Sequence, residues 1–150
     1  MFSALPGREG MILDTVSRLP RAQEYLKTAF TAEAVAAAHY RAYAVRAESE
    51  GLPNLASQWR LLAEEKDRLA AGLLEAAGRV KGPAADLGSA VAEDSYEIEV
   101  LLPKMLDELD GAPAAAVRAV LEAQQRHLAR LRELQDGYQS SRGDVPEPAG

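Results

Sequence analysis

LKTAFTAEAVAAAHYRAYAVRAESEG, residues 26–51, is the stretch of sequence that decides the fold. Its apolar and small residues recur in alternating steps of four and three, which is the spacing of a helix that packs in a bundle. The inward seam predicted by this spacing is Leu26, Phe30, Glu33, Ala37, Tyr40, Ala44 and Ala47. Glu33 is discordant, because a carboxylate placed in a core loses its water and requires a partner.

The composition favours one all-helical domain. The chain has 150 residues, of which 27% are charged and only 5% aromatic, and it contains no stretch with strand-like alternation. A net charge of -6 argues against a nucleic-acid partner. The absence of Cys excludes disulfides, zinc–thiolate sites and rubredoxin-type iron centres. No apolar run reaches the length of a signal peptide or a membrane span, so we expect a cytoplasmic protein without membrane association.

Turn residues divide the chain into four long predicted helices, at 21–50, 54–80, 84–110 and 114–137. We expect Pro103 to bend the third of them. A loose arm at 1–10 and a short helix at 11–19, stopped by Pro20, precede the four helices, and a tail of disorder-type composition at 139–150 follows them. Four helices joined by short turns predict an antiparallel four-helix bundle over 21–138.

Each of the other helices also carries a polar residue on its apolar seam. The seam predicted for the second helix is Leu55, Trp59, Leu62, Lys66, Leu69, Leu73, Ala76 and Val80. Within each helix pair, the polar seam residues lie 13 to 18 positions from the glycine at the turn, Gly51 or Gly111. At about 1.5 Å rise per residue they share one level of a bundle, where inward carboxylates and imidazoles build metal sites. The set at this level is Glu33, Lys66, Asp94, Glu97, Gln124 and His127.

Two separated segments resemble the rubrerythrins of the ferritin-like superfamily. Residues 22–51 are similar to that family's first helix, and AADLGSAVAEDSYEIEVLLPKM, residues 84–105, is similar to its third helix, including the Tyr-Glu and Pro-Lys pairs. The resemblance covers about residues 21–135. It implies a ferritin-like bundle that associates as a homodimer or a higher homo-oligomer, without the rubredoxin domain that full rubrerythrins carry.

The resemblance also implies positions for a metal site. Glu33 falls on the first-helix ligand of the diiron centre, Asp94 and Glu97 fall on the third-helix carboxylates, and His127 falls on the fourth-helix imidazole. Three ligand positions are lost, since they hold Lys66, Leu69 and Gln124. A one-residue shift of the second helix offers Glu65 and Arg68 instead, but that register leaves the apolar seam. Tyr40 matches a family tyrosine near the metals, and Leu102 stands where another is usual.

Three interpretations follow from these losses. In the first, Lys66 replaces the metal charge, no residue is catalytic, and the protein is a degenerate rubrerythrin-like module without diiron peroxidase activity. In the second, the three carboxylates outweigh one Lys and hold a single iron or other divalent ion with His127, for redox or metal-storage work. In the third, Glu65 turns inward and a full diiron oxidoreductase results. An ammonium beside the site opposes a second cation, so a diiron centre is not expected.

Overall fold

The protein is all-helical in the part of the chain that its structure describes. This computed structural model describes the backbone of residues 8–141 and 143–149, and the side chains from residue 21 onward within those ranges. In chain order, the elements are α1 (Arg8–Ser49), α2 (Pro53–Ala76), α3 (Pro83–Tyr96), a π-helical turn (Glu97–Leu101), α4 (Leu102–Glu108) and α5 (Gly111–Ser141). They form two compact units, residues 1–80 and 81–150.

In unit 1, α1 and α2 pack as an antiparallel pair along a seam of alanines. Residues that pair across the seam rise in number on α1 and fall on α2, as in Glu33–Lys66 and Glu48–Arg60. The buried positions are Ala37, Ala44, Ala47, Ala56, Ala63 and Ala70. Alanine side chains let two helix axes approach closely, and the heptad spacing on α2 keeps alanine at the contact over about four turns.

The face that α2 turns toward α1 is therefore offset from the predicted one. Trp59, Lys66 and Leu73 are partly buried, in line with the predicted seam, whereas Leu55, Leu62 and Leu69 are about half exposed. The close approach of the helices has room for a methyl group but not for an isobutyl group. The alanine one position after each of these leucines takes the contact instead.

Both helices of unit 1 end in the same glycine-dependent motif. At the end of α2, Gly78 has a φ of 68°, its N–H donates to the Glu75 carbonyl, and the N–H of Arg79 donates to the Leu74 carbonyl at 3.0 Å. This is a Schellman motif, which needs a residue that tolerates a left-handed backbone. Gly51, with a φ of 76°, ends α1 in the same way. The predicted stop at Gly51 is confirmed.

In unit 2, α5 packs against α3, the π turn and α4. A π turn, Glu97–Leu101, lies shortly before Pro103, where the sequence predicts a bend. Leu102 N–H donates to the Glu97 carbonyl five residues back. Pro103 has no N–H, and its ring would clash with the carbonyl four residues earlier, so a wider turn relieves a conflict that a continuous α-helix would retain.

The ends of the chain differ from the prediction in extent. α1 is continuous through Pro20, where the sequence predicts a break, and α5 continues to Ser141 instead of ending near residue 137. A proline within a helix removes one donor and weakens one turn without having to end the helix. Residues 1–7 of the predicted arm lie outside the described residues. No helix among those described is long and apolar enough to cross a membrane.

Candidate functional site

The predicted polar residues lie in two separate groups, one in each unit. Unit 1 holds Glu33 on α1 and Lys66 on α2. Unit 2 holds Asp94 on α3, Glu97 at the first position of the π turn, and Gln124 and His127 on α5.

Glu33 and Lys66 form an ion pair across the seam of unit 1. Lys66 Nζ lies 2.8 Å from Glu33 Oε2, and the two side chains are 29% and 24% exposed respectively. Oε2 is itself buried, and no described group meets it at hydrogen-bonding angles. The contact with Lys66 is therefore close in distance but poorly directed. The predicted pairing of Lys66 with Glu33 is present in the structure.

Charge around Lys66 favours its protonated form. The Glu33 carboxylate raises the pKa of Lys66 above its ordinary value, and Tyr40 and Glu65 act more weakly in the same direction, while partial burial opposes them. Lys66 thus carries a full positive charge at neutral pH. An ammonium this close to Glu33 Oε2 holds the place that a cation bound to that oxygen would take.

Two further ion pairs connect α1 to α2. Arg41 pairs with Asp67, and Arg60 pairs with Glu48. All four side chains are about half exposed, so each pair contributes little to the free energy of unfolding. Both pairs are compatible with the antiparallel register in which Lys66 meets Glu33.

Aromatic rings follow Glu33 and Lys66 along the seam. Tyr40 lies 5.0 Å from Trp59 between ring centroids, and Tyr43 lies 5.2 Å from Trp59 in an edge-on arrangement. Trp59 packs against the buried cluster of Ala44, Ala47 and Ala56. Core packing explains Tyr40 and Trp59, whereas Tyr43, which the predicted seam did not include, joins the cluster through its ring edge.

In unit 2, one amide connects a carboxylate to an imidazole. Gln124 Nε2 donates to Glu97 Oε2, and Gln124 Oε1 lies 3.1 Å from His127 Nδ1. An amide oxygen can only accept, so His127 donates from Nδ1, and Nε2 carries the lone pair of the neutral ring. The π turn contributes to this arrangement because Glu97 is its first residue, one helical turn after Asp94.

The donor set fits a diiron centre poorly. In unit 1 the single carboxylate already faces an ammonium, and in unit 2 one oxygen of Glu97 already accepts from Gln124. Asp94 is partly buried and has no ion pair or side-chain hydrogen bond with a described residue, while His127 is exposed. Among the described residues, no three or more His, Asp or Glu side chains form a group that could hold a metal ion. The predicted set of Glu33, Asp94, Glu97 and His127 draws on both units and stays a prediction.

The positions predicted to have lost their ligands differ in environment. Leu69 is half exposed, while Lys66 faces α1 and Gln124 is partly buried against Glu97. Glu65, the alternative second-helix carboxylate, is exposed, and so is Arg68.

No protein-family model matches the chain, and no curated protein matches it at a significant level.

Proposed function

We propose that this chain is a rubrerythrin-like, ferritin-like protein in which the ion pair of Glu33 and Lys66 takes the place of a bound metal, and that it acts as a non-catalytic structural or interaction module. The single observation that carries this proposal is the 2.8 Å approach of Lys66 Nζ to Glu33 Oε2. Lys66 stands where the family resemblance puts a carboxylate ligand, and its charge has the sign of the ion that such a ligand would bind.

The electrostatics of a metal centre support this interpretation. Two divalent ions require several carboxylates to balance their charge, and each nearby ammonium raises the free energy of the loaded site. The proposal includes the antiparallel four-helix bundle as its fold, built from the two helix pairs. In that bundle, the Glu97–Gln124–His127 chain would satisfy polar groups that a metal satisfies in an intact site.

A single-metal protein is the second candidate, and a specific observation favours it. Asp94 has no partner among the described residues, and the Nε2 lone pair of His127 is available, so one carboxylate and one imidazole of unit 2 are uncommitted. These are ligand types that divalent first-row metals accept. Such a site would do redox or metal-storage work, and it would need Glu33 or Glu97 to complete it.

Elemental analysis of the purified full chain tests the proposal. We expect less than about 0.1 metal per chain after purification without chelators, and the same value after incubation with Fe(II) and removal of the excess. About one metal per chain would favour the single-metal candidate. About two irons per chain would overturn the proposal and restore a diiron oxidoreductase.

A gain-of-binding variant gives a complementary test. The triple variant Lys66→Glu, Leu69→His, Gln124→Glu restores the three lost ligands, and we expect it to bind more Fe(II) than the wild-type chain. Lys104→Glu repeats the charge change of Lys66→Glu at an exposed residue of α4 and is the control for that substitution. Equal iron in the triple variant and the control would mean that these positions do not converge as the bundle requires.

A further inference from the structure

Unit 1 contains a groove that is not part of the Glu33–Lys66 ion pair. It lies between α1 and the C-terminal end of α2, at the end of the helix pair opposite the turn at Gly51. Its volume is 340 Å³. That volume falls within the range of small-molecule sites, which begins at about 300 Å³. All the residues that line the groove belong to unit 1.

The floor of the groove is apolar. Leu26 and Phe30 contribute from α1, and Leu73 and Leu74 contribute from α2; all four side chains are only partly buried by the two helices. They are large residues at the end of a seam whose buried positions are alanine, so the helices cannot close on them as they do at Ala63. The groove is a consequence of this change in side-chain size along the seam.

Two cations stand at the rim. Lys27 follows Leu26 on α1, and Arg79 is placed there by the Schellman motif at Gly78, which turns the chain back over the end of α2. Both are exposed, and neither forms an ion pair with a described residue. Glu24 is the single acidic residue of the lining, which leaves a net positive rim. The carbonyl end of α2 adds a partial negative charge, which Arg79 offsets.

We propose that this groove binds a free medium-chain carboxylate, with the alkyl chain on the leucine and phenylalanine floor and the carboxylate between Lys27 and Arg79. Charge complementarity selects an anion, and the apolar floor selects a chain in place of a small inorganic ion. The planar guanidinium of Arg79 matches a carboxylate through two parallel hydrogen bonds, while Lys27 contributes a point charge.

Calorimetric titration of the full chain with sodium decanoate, below the concentration at which it forms micelles, tests this site. We expect saturable 1:1 binding that tightens by up to about fourfold for each methylene between octanoate and decanoate. The double variant Lys27→Gln, Arg79→Gln should weaken decanoate binding by about three- to tenfold. Lys104→Gln removes one ammonium from exposed α4 and should leave the affinity unchanged.

Two further measurements locate the ligand and assign the role of its charge. Nuclear Overhauser contacts should join the decanoate methyl group to the ring of Phe30, and decanol should bind more weakly than decanoate by the same factor that the double variant loses. Absence of saturable binding, equal affinity for decanol, or an unchanged double variant with wild-type circular dichroism would each overturn the proposal. Binding only to anionic phospholipid vesicles would overturn it too, because it would make the partner a membrane surface.

Discussion

Lys66 is the residue on which the functional interpretation depends, and its side chain is only partly shielded from solvent. Side chains that are 29% and 24% exposed are not a fully desolvated pair, so water screens part of their attraction. What the pair determines is the sign of the charge beside Glu33. The Lys66 ammonium balances the charge of the Glu33 carboxylate, so no ion from solution is needed to do so.

The pH dependence of stability reports on this pair. Glu33 raises the pKa of Lys66 in the folded chain above its ordinary value of 10.5. The folded state therefore holds this proton more tightly than the unfolded state does, and the resulting stability is complete below pH 10.5 and is lost as the pH rises through the folded pKa. We expect the difference in free energy of unfolding between wild type and Lys66→Met to be constant from about pH 6 to 9 and to shrink above about 10.5.

Urea unfolding at a series of pH values measures this difference, and Lys104→Met is the matched loss of an exposed ammonium. The subtraction removes the titration of the tyrosines and the other lysines, which both proteins share. A difference that stayed constant to pH 12 would show that Lys66 does not interact with Glu33 in solution.

At the level of the helices, the π turn that precedes Pro103 contains Glu97, which accepts a hydrogen bond from Gln124. Replacing Pro103 with Ala restores a donor and removes the ring that would clash in a continuous α-helix, so we expect the π turn to relax toward an α-helix and the free energy of unfolding to rise by about 1–3 kcal/mol. Conversion of the π turn to a regular α-helix would rotate the preceding residues by about 100° relative to those that follow. Glu97 should then lose its bond to Gln124, seen as a shift of the Gln124 side-chain amide resonances.

Pro113→Ala provides the control, because Pro113 lies in the first turn of α5. Backbone N–H groups in a first turn have no acceptor within the helix, so a proline there removes no hydrogen bond. We expect this variant to be neutral or slightly destabilised and to leave the Gln124 resonances in place. If Pro103→Ala also left them unchanged, the π turn would have a cause other than the proline.

The helices show where sequence reasoning succeeds and where it stops. The stop at Gly51 and the disturbance at Pro103 follow from single residues with strong backbone preferences, so both could be predicted. The face of α2 could not, because Leu55 and Ala56 both satisfy a helical period, and only the distance between the two helix axes decides between them. The heptad of Ala56, Ala63 and Ala70 was the available signal, but apolar periodicity gives most weight to the larger side chains.

The candidate site, like the helices, was predictable from the sequence in one part and not in another. Counting residues from the turn at Gly51 correctly placed Lys66 beside Glu33, because both helices of an antiparallel pair rise at the same rate from their shared turn. The connection of Glu97 to His127 through Gln124 was not predicted in detail. It depends on the π turn and on which way one amide points, and neither has a periodic signature in the sequence.

At the scale of the whole molecule, Leu55, Leu62 and Leu69 form a half-exposed heptad stripe on α2. In the proposed bundle this stripe faces the common core. We therefore expect Leu62→Gln, at a side chain 44% exposed in the structure, to lower the free energy of unfolding by about 1–3 kcal/mol. The adjacent Leu61, 58% exposed, lies off the predicted seam, so Leu61→Gln should stay within about 0.5 kcal/mol of wild type.

Urea unfolding of both variants at two protein concentrations tenfold apart separates the possible covers of this stripe. A large effect at Leu62 with a midpoint independent of concentration means that the chain covers its own stripe, as the bundle proposes. A midpoint that rises with concentration means that a second copy contributes, in line with the predicted homo-oligomer. If the two leucine variants behaved alike, Leu62 would be solvated in solution and the four-helix bundle would have to be abandoned.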